Sequence, residues 1–460
     1  MLTLIADSLR RAASGLQDRL PRGSLRGRFA RGAFWTTAGA GVSRLATLTS
    51  AVIVARILGK VMYGELGMVM ATVTMFTAYA SMRLGVTAAR YVAEFRERDP
   101  AKAGRILGLA SLTAIISGGI VTLVAICSAP YISLHAINAP HLRIAIQLGS
   151  VILLFEAISG AQRGALTGYE AFRSAAKADL IVAICTLPIV LGGAYVFGLI
   201  GAVAGRGLQS LSGCFLYHLA VRRESRRWAV RLTIRGLASE LPILYRFSLP
   251  AVLGGVIVAP AIWVASAMLA NQPGGFGEMG IFSAARQWWG ALLILPQLLA
   301  QVNLPILTDR FTATDPKGVQ KVLLASVGVN ALLSIPAAVV LSILSPWVMF
   351  MYGEGFRTGA PTLVLLVWAA TLAAIQQPVA QVIIASSRMW LSFLTNAIWA
   401  ASLLTIFSFL QDTGASGLAT SFLLSYALLM GITATLALRL AGRGIAPEPG
   451  TRRLVPADRT

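Results

Sequence analysis

Four ionisable side chains stand inside long apolar runs of this chain: Arg44, Glu156, Arg206 and Arg286. A charge in such a run costs at least about 2.5–3.5 kcal/mol if it meets lipid, so it normally faces a cavity or a partner. Three of the four are arginine. A bundle that merely satisfied its own charges would balance them, and this excess is cationic. Arginine keeps its charge at physiological pH, and its planar fork of donors matches phosphate through paired hydrogen bonds. Arg44, Arg206 and Arg286 therefore read as binding residues for an anionic, phosphate-bearing cargo. Glu156 reads as a coupling group or as an ion-pair partner. Arg206 lies in Gly205-Arg206-Gly207, where small neighbours permit close helix packing, so a structural role is open to it as well. Asp179 is nearer the end of its run.

Amides enter the apolar runs too, at Gln301, Asn303, Gln376, Gln377, Gln381 and Asn396. They can either meet sugar hydroxyls or tie helices together. Gln301, Asn303 and Gln377 are the candidates for a polar cavity lining. The three cysteines and three histidines are unclustered, which offers neither a disulfide framework nor metal-ligand spacing. No catalytic residue, metal or cofactor is expected.

The elements that must position these groups follow from composition. Of 460 residues, 56% are hydrophobic and only 12% charged, yet the net charge is +21. Mean hydropathy is +0.74. Basic proteins that bind nucleic acid are charge-rich and apolar-poor, the reverse of this chain, so no nucleic-acid partner is expected. A membrane helix needs about 20 apolar residues. Twelve runs meet that length, at roughly 35–57, 62–83, 105–127, 142–162, 178–198, 200–220, 247–270, 280–304, 322–345, 360–385, 390–410 and 416–438. The reading is an all-α polytopic membrane protein with no soluble domain. Residues 1–34 lack the apolar core of a signal peptide; Leu2, Ile5, Leu9, Ala12, Leu16 and Leu20 recur at helical spacing between arginines, as in a surface helix.

Positive charge sets orientation. Thirty-two of the 39 Lys and Arg fall in the tails and in every second connector, and four on the opposite side. Both termini are therefore expected in the cytoplasm, beside anionic membrane lipids.

The chain also repeats itself. Tyr63-Gly-Glu-Leu-Gly-Met-Val69 recurs as Phe276-Gly-Glu-Met-Gly-Ile-Phe282, and Asp99-Pro100 recurs as Asp315-Pro316. The two offsets, 213 and 216, are nearly equal, which points to duplication. Six spans per half make the halves parallel repeats, with substrate expected between them near mid-membrane. The expected parts are a basic N-terminal segment 1–34, an N-lobe 35–221, an inter-lobe linker 222–246, a C-lobe 247–440 and a tail 441–460. Glu65 and Glu278, within the repeated motif, are expected to cap the starts of spans 2 and 8, because carboxylates favour helix N-termini.

Several stretches resemble the polysaccharide and lipid-linked oligosaccharide flippases of the multidrug/oligosaccharidyl-lipid/polysaccharide exporter superfamily. They are Ser43-Arg44 through Ala55-Arg56-Ile57-Leu58-Gly59, then Tyr63-Gly64, Leu84-Gly85-Val86 through Arg90–Glu94, Gly164–Glu170 and Gly280–Ala285. The likeness runs from about 32 to 440. It implies a MATE-like inverted V of two six-helix lobes and the export of an undecaprenyl-pyrophosphate-linked glycan across the bacterial inner membrane by alternating access. On that likeness Arg44 and Arg286 face the pyrophosphate or an anionic sugar, and Arg56 lies near the outer mouth. Polysaccharide polymerase and chain-length regulator proteins are the implied partners. The peptidoglycan-precursor flippases carry an Arg-Asp pair midway along helix 1, where this chain has Thr49-Ser50-Ala51, and they usually have two more helices. O-antigen or exopolysaccharide repeat units are thus the favoured cargo. A multidrug or cation antiporter of the same superfamily would want acidic residues inside the membrane, and a glycan polymerase a catalytic carboxylate or a large external loop. The sequence favours neither.

Overall fold

The computed structural model describes residues 25–81, 84–233, 256–313, 315–386 and 389–442. Most of the expected N-terminal surface helix, part of the linker and the C-terminal tail lie outside the described residues. All regular structure among the described residues is helical. Among the described residues, eight helices are long and apolar enough to cross a membrane. Their outer faces carry side chains such as Leu123, Leu332 and Ile343, each well exposed. Apolar residues on the outside are what lipid selects and water does not.

The chain divides into two compact units. The first comprises residues 1–58 and 72–252, the second residues 59–71 and 253–460.

Helix α1 (Leu25–Ala80), which belongs to the first unit except for residues 59–71, is 56 residues long with a break at Gly59. The short α2 (Leu84–Phe95) and the long α3 (Pro100–Tyr131) follow. A π turn and a short 3₁₀ turn then lead into α4 (Arg143–Gly168). Last comes α5 (Phe172–Arg227), also 56 residues, with a break at Gly198. The first break falls between two expected spans, and the second on the last residue of the expected span 178–198. Gly59 has φ 73°, ψ 175° and Gly198 has φ 56°, ψ −132°. Only glycine visits that region without strain. The core at one end of the unit joins Val92 of α2, Leu107 of α3, Leu166 of α4 and Tyr217 and Val221 of α5. Helix α5 runs on to Arg227, so the expected linker begins inside a helix.

The second unit holds α6 (Val258–Ala270), α7 (Gly275–Leu292), α8 (Ile294–Thr312), α9 (Pro316–Met351), α10 (Ala360–Ala385), α11 (Met389–Phe409) and α12 (Gly414–Gly442). The apolar run expected at 280–304 is interrupted at Leu293, and Pro296 stands in the first turn of α8. Proline has no N–H to give to a preceding turn but is tolerated where a helix starts. Leu307, Leu323 and Val382 pack α8, α9 and α10 together. Asn330 donates to the Ala374 carbonyl at 2.8 Å, and Gln381 to that of Ala300 at 2.8 Å. Gln381 thus ties helices together, one of the two uses open to it.

The duplication is written into the backbone. Asp99 caps α3 by accepting from the Lys102 amide at 2.9 Å, and Asp315 caps α9 by accepting from the Gly318 amide at 2.9 Å. Gly198 and Gly414, also 216 apart, share one unusual conformation, the latter at φ 63°, ψ −137°. Glu278 does cap a helix, but not its own: its carboxylate accepts from the Ala415 amide of α12 at 3.0 Å. Its own amide lies in the first turn of α7, whereas the start of α12 presents free amides to it.

Asp315 yields a pH prediction. The Gly318 amide, and after it Arg310 at 2.8 Å, hold its carboxyl below the usual carboxylate value. A group lowered in the folded state stabilises fully above its unfolded value, about 3.9, and loses that contribution as pH falls through the folded value. Thermal unfolding in detergent is expected to show a smaller drop between pH 6 and pH 3 in Asp315→Asn than in the unchanged protein. An equal drop in both would remove Asp315 from the account.

Candidate functional site

The first unit encloses a small polar cavity of about 70 Å³. Its walls come from three helices. Helix α1 supplies Ser43, Thr47 and Ser50, α4 supplies Arg163, and the two halves of α5 supply Asp179 and Thr186, then Arg206, Gln209 and Tyr217. Arg163 donates to the Tyr217 hydroxyl at 2.5 Å and lies 3.3 Å from the Asp179 carboxylate. Tyr217 in turn donates to Asp179. The Arg163 guanidinium also stands over the Tyr217 ring, 4.7 Å from its centroid. The three side chains close on one another, so Asp179 is neutralised where it sits.

Arg206 reaches this cavity and donates to Gln209 at 3.4 Å. Glu156 is on α4, exposed, and accepts from the Ser210 hydroxyl at 3.2 Å. Arg44 is half-buried on α1, one residue from Ser43, and Arg56 is exposed three residues before the Gly59 break. The sequence missed Arg163 and Tyr217. Arg163 falls just past the expected end of span 4, but α4 continues to Gly168, so Arg163 is a helical residue whose exposed side chain reaches the cavity rim. The available signal was Tyr217, a phenol in an apolar run whose hydroxyl needs a partner.

In the second unit, Arg286 is on α7 among aromatic rings. Its guanidinium carbon is 5.3 Å from the Phe422 centroid and 6.0 Å from that of Trp289. Around these, Trp289 and Tyr426 are 5.4 Å apart and Trp399 and Tyr426 5.3 Å. Trp289 is three residues along from Arg286 on one helix face, and Phe422 and Tyr426 are four apart on α12. Ring faces carry negative potential and hold a cation that water has left. They accept no strong hydrogen bond, and Arg286 Nη1 is buried without a hydrogen-bond partner. The indole N–H groups of Trp288 and Trp399 are buried without partners too. The orphans are donors, which suits an anionic or oxygen-rich ligand and not a cationic one.

Of the amide candidates, Asn303 is half-buried on α8, and the buried Gln377 carbonyl oxygen on α10 has no partner. The Gln301 side chain lies outside the described residues. Arg44, Arg206 and Glu156 belong to the first unit; Arg286, Asn303 and Gln377 belong to the second.

The sequence matches the family described as "Polysaccharide biosynthesis protein" over residues 29–311. The chain belongs to this family. One curated relative is the EPS I polysaccharide export inner membrane protein EpsE of Ralstonia nicotianae (strain ATCC BAA-1114 / GMI1000), 28% identical over 163 residues. The similarity spans 35% of this chain and 37% of the relative. Among solved structures, the outward-facing conformation of a multidrug resistance MATE family transporter of the MOP superfamily is 15% identical, with TM-score 0.65, covering 91% of this chain and 97% of that one. An inward-facing conformation gives 13% identity and TM-score 0.64, covering 86% and 95%. This polysaccharide biosynthesis protein therefore has the MATE-like, all-helical fold of a multi-pass membrane protein.

Proposed function

We propose that the chain is a flippase, not an enzyme, which moves an undecaprenyl-pyrophosphate-linked oligosaccharide across the bacterial inner membrane by alternating access. An exopolysaccharide or O-antigen repeat unit is the favoured glycan. The single observation that carries the cargo's charge is Arg286, a half-buried cation among rings whose buried Nη1 is unpartnered. Arg44 and Arg206 supply further positive charge in the first unit, and Arg56 stands nearer the outer mouth. Membership of the polysaccharide biosynthesis family and the relative named as an export inner membrane protein support the substrate class. Ten spans come from the eight long helices, with α1 and α5 each counted as two at their glycine breaks; α6 and the α7–α8 pair bring the proposed total to twelve, with both termini cytoplasmic. Polymerase and chain-length regulator proteins are proposed as partners that receive the flipped unit.

The MATE-like fold supports a second reading, a cation antiporter. Asp179 is the observation in its favour, since an acidic group in a membrane cavity can hold a cation. Arg163 at 3.3 Å already occupies that carboxylate, which weighs for the flippase.

The deciding experiment is reconstitution into vesicles loaded with undecaprenyl-pyrophosphate-linked oligosaccharide in one leaflet. Transfer to the other leaflet, read by an added glycan-cleaving enzyme, is expected with the protein and absent without it. Transport of a cationic dye with no glycan transfer would reverse the assignment. In the same vesicles Glu156→Gln is expected to slow transfer; an unchanged rate would reduce Glu156 to packing against Ser210.

A further inference from the structure

The first unit carries a second, much larger cavity, about 1380 Å³, that the proposed transport step does not use. It opens between the two ends of α5, near Phe172 and Arg227, with Arg96 and Glu97 just past α2 and the α4–α5 turn as its floor. That floor is firmly held. Arg96, 5% exposed, donates to the Gly168 carbonyl at 2.8 Å, pairs with Glu170 at 2.6 Å and sits 4.8 Å over the Trp228 ring.

The cavity has walls of two kinds. One is cationic, with seven Lys and Arg against three glutamates. The glutamates are already engaged: Glu97 and Glu170 with Arg96, and Glu224 with Arg227 at 3.8 Å and with the Ser174 hydroxyl at 3.1 Å. Lys177, Arg222, Arg223 and Arg226 have no ion pair among the described residues and line the exposed rim. The other wall is apolar. Behind the cations, Ile181 and Leu219 are 44% and 45% exposed, with Leu216 beside them.

A free anion would need the cations alone, and a hydrocarbon the apolar wall alone. Four uncompensated charges next to an alkyl-lined wall fit a molecule having both parts. We infer that this cavity binds an anionic, phosphate-headed lipid, with the headgroup at Lys177, Arg222, Arg223 and Arg226 and a chain along Ile181, Leu216 and Leu219. Guanidinium groups grip phosphate in pairs, and alkyl carbon buried on leucine and isoleucine adds the hydrophobic part. The phosphate can come from a bilayer glycerophospholipid or from a polyprenyl diphosphate. The inference stands on the cavity's own chemistry and survives if the flippase reading fails, because the test below measures binding and not transport.

The full chain in detergent is titrated with phosphatidylglycerol, undecaprenyl pyrophosphate, phosphatidylcholine or inorganic pyrophosphate, and bound equivalents are counted by native mass spectrometry. One equivalent of phosphatidylglycerol or undecaprenyl pyrophosphate is expected, held at least tenfold more tightly than phosphatidylcholine and inorganic pyrophosphate. R222A/R223A and, separately, Leu219→Asp are each expected to weaken it at least tenfold. Equal binding of the first two assigns the site to bilayer lipid; a tenfold preference for undecaprenyl pyrophosphate assigns it to the diphosphate. Unchanged binding in both variants, or phosphatidylcholine or inorganic pyrophosphate binding as tightly as the anionic lipids, would overturn the inference. Should R222A/R223A fail to fold, Leu219→Asp decides alone, since it keeps every cation.

Discussion

Arg286→Ala is expected to lower glycan transfer in vesicles by about 100-fold or more, with the protein present in the membrane at its usual level. The magnitude comes from the contacts that the guanidinium can offer a pyrophosphate. A hydrogen bond to a charged group is worth about 1.5–3 kcal/mol net, and 1.4 kcal/mol is a factor of ten. Two such bonds therefore span about two to four powers of ten. The rings around Arg286 supply cation–π attraction of about 0.5–2 kcal/mol, too little to be the reason for placing a charge there when alanine would cost the fold less. Arg286→Lys keeps the charge but loses the fork and the planar stacking, so an intermediate rate is expected. Arg44→Ala, in the same assay, is expected to abolish transfer as well. Wild-type transfer by Arg286→Ala would sink the cationic site, and a protein that fails to accumulate would assign Arg286 to packing.

How much of this was legible in the sequence depends on the range of the interaction. Composition alone requires a polytopic bundle, because so apolar a chain has nowhere else to fold. The glycine break at 59 falls in the gap between two runs and the one at 198 on the last residue of a run, as local backbone rules allow. The identity of Arg286 as a cation inside the membrane was legible, since an arginine between Ala285 and Gln287 in an apolar stretch is too costly to leave facing lipid. Its setting was not. Phe422 and Tyr426 are more than a hundred residues away, and only α12 packing beside α7 brings them to it. Arg163 was passed over for a smaller reason: helix ends read from hydropathy drift by a few residues, and Arg163 sits within that margin. Glu278 shows the same limit from the other direction. A carboxylate near a helix start is a sound sign of capping, but which helix it caps is decided by tertiary placement.

The duplicated motif gives the second large prediction, and its packing shows why it needs glycine. Tyr63–Val69 and Phe276–Phe282 look in sequence like two independent copies. In the second unit they are each other's packing partners. A Cβ on Gly64 would overlap the Phe276 carbonyl oxygen and stand 2.7 Å from the Gly280 nitrogen, and a Cβ on Gly280 would overlap the Lys60 carbonyl oxygen. These are backbone atoms, so no change of rotamer relieves the clash, and the helices themselves must part. Overpacking that side chains can absorb costs about 1–3 kcal/mol; a backbone clash belongs at or above the top of that range. Parting the helices also strips Tyr63 from Phe356 and Tyr352, whose ring centroids lie 5.9 and 6.4 Å from its own. Gly280→Ala and Gly64→Ala are each expected to leave little monodisperse protein in detergent and to lower the unfolding temperature sharply. Gly277→Ala is the control one turn away. Its Cβ would meet the Lys60 Cε at 2.9 Å, the end of a flexible side chain that can swing aside, so near-normal stability is expected. If Gly280→Ala unfolds at the same temperature as Gly277→Ala, the close crossing of the two motif copies is not what holds this end of α7 in place.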